Sequence, residues 1–411
     1  MQLFAPNAYF SFIRFSWLAL LPVLLLLSRS FADLAVTLTG LAFLWHCFLT
    51  KKWGWLATPW LKTALLFFAY LATVNSFLSL HPQESLLHSL LFLRWPLFAC
   101  ALTYWLLETD TAKIRFLVSL TLIACLIMLD CVWQYVHGTD VLGHLLLPDH
   151  RLSGPYHAPL PGIMVLRVFF IANFLIILLP AFRRQPSVFY WQWLIICFGM
   201  IFLLMTGERM ALLLYGLGMS MVGLGLLKEN PVKPTVVIRC FLCFILLISL
   251  FFWLAPHTFE RTILSVLEKT QHFWTSDYGL VFQAALEAWK ASPWLGGGLH
   301  TYREVCEQMG HLQSWGMACS HPHNVYLLLG AETGVVGVSL FCIMVLQIYH
   351  AALATLFQQS QWWMLCMSAA ALTVCFFPLI GGISLWNNWV AALVWTSVGW
   401  TLAIGKSSLS E

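Results

Sequence analysis

The feature that most constrains this chain is a succession of apolar stretches, each about as long as a bilayer is thick. A helix needs about 20 mainly apolar residues to cross the hydrocarbon core. The alternation typical of a barrel strand is absent from these runs. Twelve such stretches are found, at residues 12–28, 31–49, 60–79, 88–107, 114–136, 163–180, 187–206, 210–227, 236–255, 324–348, 363–380 and 385–404. The sequence predicts an all-α integral membrane protein with about twelve transmembrane helices.

The composition excludes other classes of protein. Only 9% of the 411 residues are charged and 60% are hydrophobic, against roughly 25% charged residues in a soluble domain. Aromatic residues reach 15%, which excludes a disordered chain. The first apolar stretch lacks a convincing cleavage site, so we expect a retained helix rather than a signal peptide. No basic tract points to nucleic acid.

The basic residues of the connections predict the orientation. With an even number of spans both termini share one side, and the side with more Lys and Arg is cytoplasmic. Placing both termini in the cytoplasm puts 13 of the 17 acidic residues outside. The same choice puts 12 of the 21 basic residues inside: Arg14, Lys51, Lys52, Lys62, Lys113, Arg115, Arg183, Arg184, Lys228, Lys233, Arg239 and Lys406.

Two long connections, residues 137–162 and 256–323, lie outside in this topology. The chain is divided accordingly into helices 1–9 (1–255), a large periplasmic loop (256–323), and helices 10–12 with a cytoplasmic C-terminus (324–411). We expect the large loop to form short helices over the membrane face. One apolar stripe within it combines Phe282, Ala285, Leu286 and Trp289, beside Glu287 and Lys290.

Ten of the twelve cysteines lie within or against predicted spans, where Cys acts as a small apolar residue. Cys306 and Cys319 are the exceptions, since both fall in the large loop. They form a disulfide in an oxidising compartment or remain two unpaired thiols; the sequence leaves both possibilities open. No CxxC or His-rich spacing indicates a metal site.

Ionisable residues within predicted spans form a layer near the outer face. Arg94, Asp130 and Arg167 each lie about 6–9 Å below the outer surface at 1.5 Å per residue. Glu208 and Arg209 lie at the outer junction of two spans. This layer predicts a cavity that is open to the outside and suited to a lipid-linked polyanion, because Arg matches phosphate oxygens. The alternative is that Arg94–Asp130 and Arg209–Glu208 pair and hold helices together.

The strongest local signal begins at Ser320 and continues through the next span. His321 and His323 stand at its water boundary, where a neutral His can take a proton from a hydroxyl. Asn324 is placed to cap the helix that follows. Glu332 lies further along that helix, followed by glycines at 334 and 337 that permit close helix approach. The alternative is an interfacial His pair without chemistry.

These segments together resemble the O-antigen ligase and polymerase superfamily. His-Pro-His-Asn at 321–324, followed by Glu332, is similar to its signature. Thr-Gly-Glu-Arg-Met-Ala at 206–211 resembles its Ser-Arg motif, with Glu208 in the Ser position. Residues 284–298 resemble its outer-loop segment. The order of the motifs and the layout of twelve spans add specificity that no single motif has.

The resemblance implies a GT-C-like membrane glycosyltransferase in the inner membrane of a Gram-negative bacterium, with its active site facing the periplasm. The donor would be O-antigen polysaccharide on undecaprenyl pyrophosphate, and the acceptor the outer-core sugar of lipid A–core. Membrane lipids would be its surroundings. No cofactor, metal or ATP is expected.

The resemblance also implies roles for individual residues. Arg209 would hold the pyrophosphate, with Arg94 or Arg167 as helpers. His323 would activate or orient the acceptor hydroxyl, with His321 as the second choice. Asn324 and Glu332 would contribute to substrate binding.

One position departs from the family pattern. The family usually has an Arg shortly before the aromatic residue that opens the outer-loop helix, and here Tyr278 stands in that place. We rank Arg303 and Arg261 above Lys269 as its substitute.

Three alternatives stay open on the sequence. An O-antigen polymerase and a protein O-oligosaccharyltransferase of the same superfamily would use the same residues. A transporter of lipid-linked glycans is the alternative from another class, although it should place its charges near the midplane and often shows repeated halves.

Overall fold

The computed structural model describes residues 6–147, 150–179, 188–229, 232–310, 319, 321–379 and 384–406. Arg183, Arg184 and Ser320, named above from the sequence, lie outside these residues.

The described chain is built from helices, and its only β-type pairings are two isolated bridges, Thr139 with Leu145 and Asn324 with Leu379. The helices are α1 (Pro6–Leu27), α2 (Arg29–Thr50), α3 (Pro59–Tyr70), α4 (Pro82–Phe92), α5 (Arg94–Ala101), α6 (Asp110–His137), α7 (Pro161–Ala172), α8 (Phe174–Leu178), α9 (Val188–Thr206), α10 (Arg209–Glu229), α11 (Pro234–Leu254), α12 (Pro256–Phe259), α13 (Ser265–Gln271), α14 (Asp277–Ala291), α15 (Tyr302–Gln308), α16 (Val325–Gln358), α17 (Trp362–Phe376) and α18 (Asn388–Lys406).

Eight helical segments among the described residues are long and apolar enough to cross a membrane. Each of the twelve predicted stretches overlaps a helix, but twelve crossings remain a prediction. The surface of α11 indicates a lipid environment. This segment is the most apolar of the eight, and it buries none of its residues inside the protein. An exposed apolar surface of that size requires an apolar environment.

The centre of the bundle is formed by α7, α17 and α18. Almost every residue of α7 and α18 is buried, and the Ser397 hydroxyl of α18 donates to the Arg167 backbone carbonyl of α7 at 3.0 Å. Gly399 lets α18 approach α5, because a Cβ there would lie 3.1 Å from the Ala99 carbonyl oxygen.

The two ends of the bundle differ. One end, called here the loop end, carries the connection 138–160, the segment 255–310 and residues 321–324. The opposite end, called the basic end, carries the turns at 51–58, 107–109 and 232–233 and the end of α18 at Lys406.

The predicted amphipathic helix of the large loop is confirmed as α14, but its buried stripe is rotated by one position. Val281, Ala284, Ala285 and Ala288 are buried, whereas Phe282, Leu286 and Trp289 are only half-buried. The three alanines allow α14 to pack closely against α16, and this small-residue face was overlooked in favour of the larger side chains.

Candidate active site

The helix that follows the His motif is interrupted within the site. Gly334 in α16 has φ 64° and ψ −173°, a conformation that is essentially restricted to glycine. The chain at 293–298 runs alongside this break. Val335 N–H donates to the Pro293 carbonyl at 2.9 Å, and Gly298 N–H donates to the Glu332 carbonyl at 2.9 Å. Backbone groups released by the break are therefore satisfied by the outer-loop segment.

Two buried polar side chains of the third predicted span fasten this junction. The Asn75 amide donates to the carbonyls of Leu295 and Glu332, both at 2.9 Å. The Tyr70 hydroxyl donates to the Thr333 carbonyl at 2.8 Å. The loop and the broken helix therefore form one rigid unit that carries Glu332. Sequence reasoning missed both residues, although an Asn inside an apolar stretch was a signal.

A cavity of about 470 Å³ opens beside this unit. It brings together three of the predicted residues, His321, Glu332 and Arg303. Its other polar and aromatic groups come from three separate parts of the chain: Arg29, His300, Tyr302, Ser384, Trp386 and Asn387. The size and lining suit a sugar, which offers hydroxyls for the polar groups and an apolar face for the indole.

Of the two histidines of the motif, His321 lines this cavity. Its Nε2 is buried and has no hydrogen-bond partner among the described residues. Burial, with a smaller effect from His323, lowers the pKa of His321 to about 3. The ring is therefore neutral at pH 7. The His323 ring lies 5.2 Å from that of His321 and 5.6 Å from that of Tyr278. Tyr278 thus contacts the motif in the place where the family usually has Arg.

Glu332 is buried in the same cavity wall, with 3% exposure. Its carboxyl faces the backbone N–H groups of Tyr302 and His300 and the indole N–H of Trp386. Its Oε2 has no hydrogen-bond partner among the described residues. One acceptor oxygen is thus held by the protein and the other remains available to a bound hydroxyl.

Asn324 does cap the helix, as predicted. Its Oδ1 accepts from the backbone N–H groups of Tyr326 at 3.0 Å and Leu327 at 3.1 Å. Cys306 and Cys319 form a disulfide, with Cα atoms 5.4 Å apart, which decides between the two possibilities left open by the sequence. This disulfide ties α15 to the residues just before His321.

A second group of side chains surrounds the turn between α9 and α10. Gly207 in this turn has φ 67°, and a Cβ built there would lie 3.6 Å from Arg261 Nη1 and 3.4 Å from Arg151 Cγ. Arg209 begins α10 beside them and is partly exposed. Three arginines from distant parts of the chain therefore meet at one turn, which we call the arginine cluster (Arg151, Arg209 and Arg261).

Glu208 fixes this turn against α7. Its two carboxylate oxygens accept from the backbone N–H groups of Gly162 at 2.7 Å and Ile163 at 3.0 Å. Burial raises the pKa of Glu208 to about 7, against the opposing effects of these hydrogen bonds and of Arg167 and Arg151. The carboxyl thus anchors the start of a helix, a favourable place for negative charge.

The arginines of the predicted layer have different surroundings. Arg94 pairs with Asp33 at 2.6 Å, so the alternative in which it pairs with Asp130 is wrong. The Asp130 carboxylate instead accepts a hydrogen bond from the Val141 backbone N–H at 2.9 Å. Arg167 is 1% exposed, and its guanidinium has no hydrogen-bond partner among the described residues. Glu208 is the carboxylate that interacts electrostatically with the Arg167 guanidinium.

The structure separates the three candidates for the missing second Arg. Arg303 pairs with Glu307 at 2.7 Å and is exposed, although it also reaches the cavity of His321. Lys269 pairs with Asp277 at 2.9 Å. Arg261 alone of these three is placed beside Gly207.

Arg151 was missed by sequence reasoning. It is the one Lys or Arg between residues 137 and 162. That isolation in an outer loop was the available signal. Within the described part of the chain, no group of three or more His, Cys, Asp or Glu side chains could hold a metal ion.

The fold and these two sites define a class of protein: a multi-pass membrane protein with an arginine cluster and a polar cavity at one end. The family model described as O-antigen ligase matches residues 193–342. This range includes both Gly207–Arg209 and the His motif, so the part of the chain that carries both motifs is similar to the O-antigen ligase family. No curated protein and no solved structure matches the chain.

Proposed function

We propose that this protein is an O-antigen ligase, which transfers O-antigen polysaccharide from undecaprenyl pyrophosphate to the outer-core sugar of lipid A–core. The observation that carries the proposal is the arginine cluster, with Arg209 and Arg261 inside the matched range and Arg151 beside them. The polar cavity supplies a second site, as transfer between two lipid-linked glycans requires.

The arginine cluster suits the donor. Transfer breaks the bond between the anomeric carbon and the pyrophosphate oxygen, and negative charge grows on the leaving group. Fixed guanidinium donors stabilise that charge more in the transition state than in the ground state. Arg209 and Arg261 would contact the pyrophosphate, with Arg151 beside them. Arg167 would contribute its positive charge from within the bundle. Arg94, in its ion pair with Asp33, would have a structural role.

The cavity suits the acceptor. A sugar hydroxyl there would donate to the neutral His321, and its oxygen would form the new bond to the anomeric carbon. The proton released would pass by way of His321 or the free oxygen of Glu332 to water. We now place His321 ahead of His323, because His321 lines the cavity. Asn324 would act indirectly, by fixing the start of α16.

The proposed location is the inner membrane of a Gram-negative bacterium, with the loop end in the periplasm and both termini in the cytoplasm. The Cys306–Cys319 disulfide supports this orientation, because disulfides persist in oxidising compartments. An O-antigen polymerase and a protein O-oligosaccharyltransferase remain the alternatives within the superfamily, and a lipid-linked glycan transporter the alternative outside it.

Reconstitution tests the proposal. Purified protein is mixed with undecaprenyl-pyrophosphate O-antigen and lipid A–core, without ATP and with a chelator, and the products are separated on a lipopolysaccharide gel. A ladder on lipid A–core that Arg209→Ala abolishes is expected. Chain growth on undecaprenyl pyrophosphate alone would identify a polymerase. Flux of the lipid-linked glycan across vesicles, without either product, would favour the transporter.

A further inference from the structure

A second polar cavity, of about 380 Å³, lies at the basic end, opposite the end that carries the arginine cluster and the first cavity. Lys52 reaches it from the turn after α2, and Lys406 reaches it from the end of α18. The wall of the cavity also contains Trp55, Tyr104 and Glu108. We propose that this cavity binds the phosphate headgroup of an anionic membrane phospholipid.

The charge of the cavity favours an anion. Lys52 and Lys406 both line it, and Arg14 stands close enough to act on the His46 ring in its wall. Glu108 is the single carboxylate of the lining. The lining therefore has two ammonium groups against one carboxylate, with Arg14 nearby, and a phosphate would balance the excess positive charge. Ammonium groups suit this role because Lys binds phosphate as a compact point charge.

The aromatic residues place the cavity at headgroup depth. Trp and Tyr gather where membrane and water meet, because their rings have an apolar body and a polar edge. The Phe43 and Trp55 rings lie 5.1 Å apart, and His46 stacks on Trp105 at 5.4 Å. The Lys406 ammonium lies 4.6 Å from the centre of the Tyr104 ring. A lysine held against such a ring, as Lys406 is, faces the headgroup layer.

An apolar track leads from this region along the outside of α2. The side chains repeat at intervals of three and four residues, so they form one stripe on the helix. Each is between 45% and 62% exposed: Leu34, Leu38, Leu41, Trp45 and Phe48. A phospholipid whose headgroup sits in the cavity could lay an acyl chain on this stripe. Free phosphate could occupy the cavity but has no acyl chain to contact the apolar stripe on α2.

Native mass spectrometry of the full-length protein in detergent tests the proposal, by titration with cardiolipin, phosphatidylglycerol, phosphatidylethanolamine and inorganic phosphate. The two anionic lipids should bind more tightly than phosphatidylethanolamine. The double variant Lys52→Gln/Lys406→Gln should lose about fivefold in affinity per lysine. Lys52→Arg/Lys406→Arg should keep most of the binding.

The matched control is Lys62→Gln/Lys233→Gln, which removes two exposed lysines from the same end but outside the cavity. Equal losses in both Gln doubles would show diffuse charge attraction and overturn the site. The site would also be overturned if the wild-type protein bound phosphatidylethanolamine as tightly as the two anionic lipids. Inorganic phosphate that binds as tightly as the lipids and displaces them would overturn the lipid assignment. None of these outcomes depends on glycosyl transfer.

Discussion

Arginines that look equivalent in the sequence differ in their surroundings at the loop end, and those surroundings predict what each contributes. Arg94 and Arg303 have carboxylate partners at 2.6 Å and 2.7 Å, whereas Arg261 lies at the turn that carries Arg209. A guanidinium satisfied by a carboxylate is less available to a phosphate.

Arg261→Ala and Arg209→Ala should each lower kcat by about 10²–10³-fold, the usual effect of removing one donor to a developing anion. Lys at either position should recover only part of the rate, because a point charge cannot replace the guanidinium fork. Single-turnover transfer in the reconstituted assay measures both effects. Lys269→Ala, in an exposed ion pair, is the control and should stay within about twofold of wild type. Full activity of Arg261→Ala would remove this residue from the site.

His321 and Glu208 should give the stability of the protein opposite dependences on pH. The pKa of His321 falls from 6.5 to about 3 on folding, so the unfolded chain binds its proton first and stability declines as pH falls through this window. The pKa of Glu208 rises from 4.5 to about 7, so the stability it contributes is lost as pH rises through that range.

Thermal unfolding in detergent between pH 4 and pH 7 separates the two contributions. His321→Asn should make the dependence of stability on pH less positive, by up to about 1.4 kcal/mol per pH unit. Glu208→Gln should make the dependence of stability on pH more positive. Identical slopes in wild type and both variants would show that neither group is shielded from solvent in the folded protein.

At the scale of elements, the junction between the outer-loop segment and the broken α16 is the feature that positions Glu332. Gly334→Ala should prevent this junction from forming. The conformation at Gly334 costs a residue with a Cβ about 1–3 kcal/mol. The new methyl group would also meet the backbone of Trp294.

The measurement is the fraction of protein that remains monodisperse on size exclusion after heating. Gly216→Ala is the matched control: this glycine lies inside α10 with no heavy atom within 4 Å of the added Cβ. Ala there should be neutral or stabilise by up to about 1 kcal/mol. Equal thermal behaviour of the two variants would mean that α16 can run straight through Gly334.

The same junction shows where sequence patterns stop being informative. Apolar length located the long helices of the bundle, and the Asn324 cap followed from local spacing, because both depend on neighbours along the chain. The two side chains that stabilise the helix break, Tyr70 and Asn75, are more than 200 positions away. The meeting of Arg151 and Arg261 at Gly207 is equally non-local. Motifs therefore led to Arg209 and His321 as candidates, but not to Arg151, Tyr70 or Asn75.

At the scale of the whole molecule, the arrangement of charge predicts one orientation. The basic end carries Lys52 and Lys406, whereas the loop end carries the disulfide, both long connections and most acidic residues. The positive-inside rule places the basic end in the cytoplasm. An epitope inserted at the exposed turn Val141–Leu142 should then be reached by antibody in spheroplasts, and a C-terminal epitope only after lysis. The C-terminal tag is the internal control for membrane integrity. Accessibility of both epitopes from the same side would overturn the topology, and with it the assignment of the arginine cluster to periplasmic transfer.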